Sequence, residues 1–156
     1  MEVQFKKLHE NAQIPEYASN GAAAFDLFAC KFEEYDHTEN TCVVNTGIAC
    51  AVPEGFVMLV FSRSGHGFKH GIRLANCVGV IDSDYRGEIK VKLARDTAGA
   101  IDFKVGDRIA QAMIVPCPQV TILEVEELDE TERGDGGFGS TGDGEVQGRK
   151  FFGMPT

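Results

Sequence analysis

The chain has 156 residues, 43% of them hydrophobic and 25% charged, with a formal net charge of −9. That length suits one domain of ordinary size that can bury a core without staples, and the composition excludes wholesale disorder. No apolar run approaches the ~18 residues of a membrane helix, and the polar start Met1-Glu2-Val3-Gln4 has no signal-peptide stretch, so no membrane association is expected. A protein this acidic repels nucleic acid unless it concentrates its cations, and no direct nucleic-acid binding is expected. The five cysteines (Cys30, Cys42, Cys50, Cys77 and Cys117) are odd in number and form no Cys-x-x-Cys pair. They read as buried free thiols, which points to the cytoplasm or another reducing intracellular compartment.

Short apolar runs separated by turn residues predict strands over residues 3–8, 24–28, 42–46 and 48–52. Residues 56–61, Phe-Val-Met-Leu-Val-Phe, are continuously apolar and predict a strand buried on both faces. One helical turn is predicted over 68–72. Residues 78–81 and 89–93 read as a possible strand pair, the second with clean alternation. Further strands are predicted over 109–115 and 120–126. Many short strands with turns between them mean an all-β sandwich or barrel. Composition changes near Leu128: an acidic run precedes a segment dense in glycine from Gly134 to Gly148. Residues 1–128 are therefore read as the core and 129–156 as a mobile C-terminal arm.

Four polar clusters could carry chemistry. Gly79-Val80-Ile81-Asp82-Ser83-Asp84-Tyr85-Arg86-Gly87-Glu88 would be a hairpin tip if its flanking strands pair. Asp82 and Asp84 share one face if that segment is extended, and two close carboxylates can hold a metal or activate water. The reading preferred from this segment alone is a turn with local Asp hydrogen bonds and Arg86 as neutraliser. Ser62-Arg63-Ser64-Gly65-His66-Gly67 offers hydroxyls, a guanidinium and close backbone approach, a set that suits an anion; a surface loop is the plainer reading. His66 and His70 have helical spacing but no third ligand, and read as two solvated histidines. Gly106-Asp107-Arg108-Ile109-Ala110-Gln111 is a turn entering a strand. In Arg133-Gly134-Asp135-Gly136-Gly137-Phe138-Gly139-Ser140-Thr141-Gly142, the glycines match G-x-G-x-x-G without its strand and helix, so a dinucleotide fingerprint fails on context. What remains is a strap with one cation, one aromatic plate and two hydroxyls.

In this order the clusters resemble the five motifs of the trimeric deoxyuridine triphosphate nucleotidohydrolases (dUTPases). Ala22-Ala23-Ala24-Phe25-Asp26-Leu27 is similar to the first motif, Ser62 to Gly65 to the second, Gly79 to Glu88 to the third, Gly106 to Gln111 to the fourth and Arg133 to Gly142 to the fifth. Two departures are Ala24 where the family usually has Gly and Ser62 where it usually has Pro.

The resemblance implies a distorted jelly-roll, barrel-like subunit in a homotrimer, with each active site shared between subunits and closed by the arm. It implies hydrolysis of dUTP to dUMP and pyrophosphate by water attack on the α-phosphorus, assisted by Mg²⁺. This limits dUTP incorporation into DNA and supplies dUMP for thymidylate synthesis. Asp82 aligns with the water-activating carboxylate. The ion is expected on the three phosphates, with Asp26 touching its waters. Phosphate donors are expected at Ser64, Gly65 and Gln111, with Arg133, Ser140 and Thr141 brought by the arm beside Gly139. Arg63 falls in the substrate-binding set either directly or as a structural ion-pair partner, with Asp84 as candidate counter-ion. Asn76, with backbone from Gly79 onward, aligns with the reader of the uracil edge. Tyr85 aligns with the platform under the deoxyribose, and Phe138 with the ring that stacks on the base. Residues 143–156 lie beyond the motifs and receive no role. Two rivals are a dCTP deaminase of the same fold, for which Glu88 is the one additional acid near the third motif, and a non-catalytic nucleotide-controlled switch.

Overall fold

The computed structural model describes residues 1–97 and 99–137, apart from the side chain of Glu34. Phe138, Gly139, Ser140 and Thr141 lie outside the described residues. The described chain holds ten strands and one short helix: β1 (Gln4–Lys7), β2 (Phe25–Phe28), β3 (Lys31–Asp36), β4 (Thr41–Asn45), β5 (Ile48–Ala51), β6 (Phe56–Phe61), α1 (Ser64–His70), β7 (Ile72–Leu74), β8 (Val78–Ile81), β9 (Lys90–Arg95) and β10 (Arg108–Pro116). The all-β expectation holds. Two compact units divide after Val120. No helix of the described residues is long and apolar enough to cross a membrane.

In the first unit, two four-stranded antiparallel sheets and a two-stranded one enclose the core. One sheet runs β2-β10-β6-β8, the second β3-β4-β9-β7, and β1 pairs with β5. Alternation explains the second sheet: Val91 and Leu93 of β9 point inward and are buried, while Lys90 and Lys92 stay exposed. Leu27, Met58, Ile89, Leu93 and Ile109 are fully buried where the sheets meet. All five cysteines are free thiols; Cys30, Cys42 and Cys50 are buried, Cys77 and Cys117 exposed. The three buried thiols have pKa values pushed up by desolvation, the expected result of disfavouring a thiolate in apolar surroundings.

Of four local expectations, three are corrected and one is met. First, β8 and β9 are not a hairpin: β8 pairs with β6 in one sheet, while β9 pairs with β4 and β7 in the other. The segment between them crosses from sheet to sheet. Second, of the two readings of that segment the preferred one, a turn, is found, with Tyr85 N–H donating to the Asp82 carbonyl (3.2 Å). Asp82 and Asp84 therefore do not line one strand face. Third, the helix is α1, four residues earlier in starting than the predicted turn, and it is stopped by Gly71 in the left-handed region (φ 62°). Fourth, residues 120–126 form no strand, and Val120, Ile122 and Leu123 are exposed.

Candidate active site

Asp26 lies on β2, next to β10, and its side chain is only 8% exposed. Burying a carboxylate is costly unless it is paired and hydrogen-bonded. Asp26 has two cationic partners: Arg63 Nε donates to Oδ1 at 2.8 Å and Arg108 Nη1 to Oδ2 at 3.2 Å. One buried carboxylate thus ties the first motif to the second and fourth. The expected Arg63–Asp84 pair is corrected: Arg63 takes Asp26, because it follows β6 just past Phe61, which pairs with the same Gln111 of β10 as Asp26 does, whereas Asp84 lies on the crossing segment.

Two further contacts join the same segments. Gln111 Nε2 donates to the Ser62 carbonyl at 2.9 Å, which fixes the amide and leaves its second N–H free. The Ser62 hydroxyl accepts from Leu74 N–H at 2.9 Å. The hydroxyl that replaces the family's usual proline is therefore used, binding the second motif to β7. An open cleft of about 350 Å³ is lined by Ser62, Arg63, Ser64, Gly67, Phe68 and Gln111. Its polar groups include donors: the Ser64 hydroxyl, the Gln111 amide and the Arg63 guanidinium. That set recognises an anion.

The crossing segment builds a second region. Tyr85 donates its hydroxyl to the Glu88 carbonyl at 3.0 Å, and its ring folds over Gly87, where a Cβ would fall 2.5 Å from Cζ. Glu88 points the other way: its Oε1 accepts from Gly47 N–H at 2.8 Å, tying the segment to the β4–β5 turn. Asp82 and Tyr85 share a cleft of about 320 Å³ with Ile81 and Lys90. Asp82 and Asp84 also line a larger one of about 790 Å³ beside Arg86 and Gln119. Asn76 and Gly79 line a third, of about 430 Å³, floored by Val60 and Leu74. The Asn76 side-chain amide donates to the Val78 carbonyl at 3.2 Å. Gly79 sits tight on β6: a Cβ there would lie 3.1 Å from Val60 Cβ.

The structure therefore collects the predicted residues into two groups in distinct clefts. On one side Asn76 and Gly79 line one cleft and Asp82 and Tyr85 another, both bordered by Ile81 and Lys90; on the other, Arg63, Ser64 and Gln111 line a third, with Gly65 next to Ser64 in α1. In the second unit, Arg133 closes its own turn by donating to the Gly136 carbonyl at 2.8 Å. Sequence reasoning missed three residues. His66 is half-buried and bonded, not solvated. Glu88 is a structural acceptor, and Gly87 makes room for the Tyr85 ring. Only Gly87 carried a signal, since a glycine two residues after an aromatic in a turn marks close approach.

A protein-family model described as dUTPase matches residues 10–142 of this chain. The chain belongs to the dUTPase family. The deoxyuridine 5'-triphosphate nucleotidohydrolase of Nautilia profundicola is 47% identical over 142 residues, covering 91% of this chain and 99% of that protein. The protein of the same name from Caulobacter vibrioides is 44% identical over 147 residues, covering 90% of this chain and 94% of its own. Among solved structures, a mutant dUTPase of Staphylococcus bacteriophage 80alpha with dUpNHpp superposes with a TM-score of 0.79 at 28% identity, covering 90% of this chain and 98% of that one. A mutant dUTPase of phage phi11, described for its coordination of a structural Mg(II) ion, gives 0.71 at 27% identity, over 81% and 98% of the two chains. As a dUTPase, the chain is a dUTP diphosphatase that converts dUTP to dUMP.

Proposed function

We propose that this dUTPase works at sites completed only between copies of the chain, by water attack on the α-phosphorus of dUTP. The observation that carries this reading is the separation just described. Asp82 and Tyr85 line one cleft, and Ser64 and Gln111 line another. A nucleotide has to meet both sets at once, so a second copy supplies one of them. The exposed apolar residues Val120, Ile122, Leu123 and Leu128 support association, since a monomer rarely shows such a run to water. A homotrimer, as the family resemblance implies, satisfies both.

In this reading Asp82, exposed and unpaired with any cation among the described residues, takes a proton from the attacking water. A positioned general base contributes roughly 10²–10⁴ in rate. Ser64, the Gly65 backbone and Gln111 hold the phosphates, with Arg133, Ser140 and Thr141 arriving on the arm. The Asn76 amide and the backbone of β8 read the base. Tyr85, locked by Glu88 and Gly87, fills the space a 2′-hydroxyl would need. Phe138 stacks on the uracil.

Among the described residues no group of three or more His, Cys, Asp and Glu is placed to hold a metal ion. An Mg²⁺ carried by the substrate's phosphates needs no such group from one chain. When bound, it neutralises charge on the phosphates. Asp26 meets its waters only by sharing an oxygen with Arg63 or Arg108. The five free thiols support a reducing intracellular compartment. Removal of dUTP limits uracil in DNA, and the dUMP released supplies thymidylate synthesis.

Pyrophosphate release is measured with dUTP, dCTP, dTTP and UTP, while ammonia is assayed in parallel. Release from dUTP alone, without ammonia, is expected. Ammonia from dCTP would favour the deaminase instead, with Glu88, whose Oε1 accepts from Gly47 N–H, as the nearby acid. Sharing is tested by mixing. Asp82→Asn and Gln111→Leu chains are each expected to be inactive alone. Refolded together, they should regain turnover, because some sites receive an intact set from two chains. No recovery in mixtures would overturn shared sites.

A further inference from the structure

Helix α1 buries none of its residues, and Phe68 on it is 94% exposed. No apolar face docks this helix, and its N-cap residue Arg63 makes no side-chain cap. Yet α1 begins with Ser64 and Gly65, two of the groups expected to face phosphate. Something other than the hydrophobic effect has to fasten it.

His66 is the side chain in position to do so. Its Nε2 lies 2.7 Å from the carbonyl oxygen of Arg108, at the start of β10. A carbonyl only accepts, so Nε2 carries the hydrogen and donates. Arg63 Nη1 lies 3.3 Å from the same nitrogen. A guanidinium only donates as well, so this second approach is not a hydrogen bond. In the neutral ring the proton is thus on Nε2, and Nδ1 is left as the acceptor. The imidazole also stands edge-on against Phe103, with centroids 4.7 Å apart and an interplanar angle of 76°. These contacts fix the ring in place and in tautomer.

We propose that His66 is a positioning residue for the phosphate side of the site. Its Nε2–H clamp on the Arg108 carbonyl holds the first turn of α1 at a set distance from β10, three residues before Gln111. Asp26 joins the arginine heads of the same two segments, and Gln111 joins its own amide to Ser62. His66 alone of these acts from the helix itself. The inference rests on the reading of Ser64, Gly65 and Gln111 as phosphate donors.

The test compares His66→Phe, which keeps a ring against Phe103 but has no donor, with His66→Gln, which keeps an N–H at the end of a chain of similar reach. A lost neutral hydrogen bond corresponds to about threefold to tenfold in binding. His66→Phe is expected to raise KM for dUTP by that factor, with kcat nearly unchanged, because the donors hold ground and transition states alike. Inhibition by deoxyuridine, which has no phosphate, should stay at the wild-type level, and His66→Gln should restore most of the KM. Long-range ¹H–¹⁵N spectra of the wild-type protein should show the Nε2–H tautomer at His66. An unchanged KM in His66→Phe would overturn the proposal. So would a KM rise matched by weaker deoxyuridine inhibition and a fall in Tm, or an Nδ1–H tautomer. If His66→Phe does not fold, the spectra and His66→Gln still decide. A wild-type chain without dUTP turnover would sink the functional reading, while the tautomer would still report on the clamp.

Discussion

Replacing Asp26 by Asn keeps the side-chain volume but removes the charge shared by Arg63 and Arg108. Breaking a fully buried pair costs roughly 3–5 kcal/mol. Here Arg108 is 48% exposed, and solvent screens it, so a loss of about 2 kcal/mol is expected from urea unfolding. The Mg²⁺ concentration for half-maximal turnover should also rise, because the ion's waters lose a charged acceptor. An unchanged Mg²⁺ requirement would leave Asp26 with the arginines alone. Asp82→Asn should abolish turnover while nucleotide binding, followed by calorimetry, is kept. At this scale the sequence showed which residues fall into the family's motifs, since residue type and order survive without coordinates. It did not show which acid meets which cation. Asp26 and Arg63 are 37 positions apart, and only the packing of β2 beside β10 chooses that partner over the nearer Asp84. His66 was misjudged for the same reason: its acceptor is a main-chain carbonyl, and no side-chain pattern announces one.

Among elements, the β4–β5 turn matters beyond its size. Gly47 has φ +68°, and a Cβ there would lie 2.7 Å from Cys30 Sγ and 2.9 Å from Ala12 Cβ. Gly47→Ala combines backbone strain with a clash, and a loss above roughly 1 kcal/mol is expected in denaturant unfolding. It should also loosen Glu88, and through it the Tyr85 platform, so turnover of UTP relative to dUTP should rise. Thiol labelling checks the core. Cys77 and Cys117 should react first with a disulfide reagent in the native protein, and Cys30, Cys42 and Cys50 only on unfolding, since burial both shields them and raises their pKa values. Strands with clear alternation or long apolar runs, such as β9 and β6, were legible. β3 was not, because a register shift between Phe32 and Tyr35 breaks its period. β7 has three residues, too few for any period. Residues 120–126 carry β-forming side chains but no strand, since local preference does not supply an edge to pair with.

For the whole molecule, the prediction concerns the C-terminal end. A chain stopped after Gly142 should keep its turnover with dUTP, whereas one stopped after Glu132 should lose it by roughly a hundredfold, the scale of a misplaced or missing positioning group. Both should sediment as the full chain does, because the first unit is compact without them. Equal activity in both truncations would remove the arm from the reaction. The all-β architecture was legible from the spacing of strands and turns. The path between the two sheets was not: the run from β8 to β9 has the residue pattern of a hairpin, and only the competition of β6 and β4 for these strands sends them into different sheets.

β8 stands last in its sheet, so one side of its backbone meets no other strand of the described chain. On the proposed reading, the nucleobase takes that vacant flank. The reader of the base is then composed largely of peptide groups, which every amino acid but proline supplies in full. Point substitutions over residues 78–81, proline apart, can alter a side chain but not the order of amide and carbonyl along the edge. Base choice is in this sense insulated from mutation, whereas sugar choice, resting on one tyrosine ring above one glycine, is open to drift by a single codon.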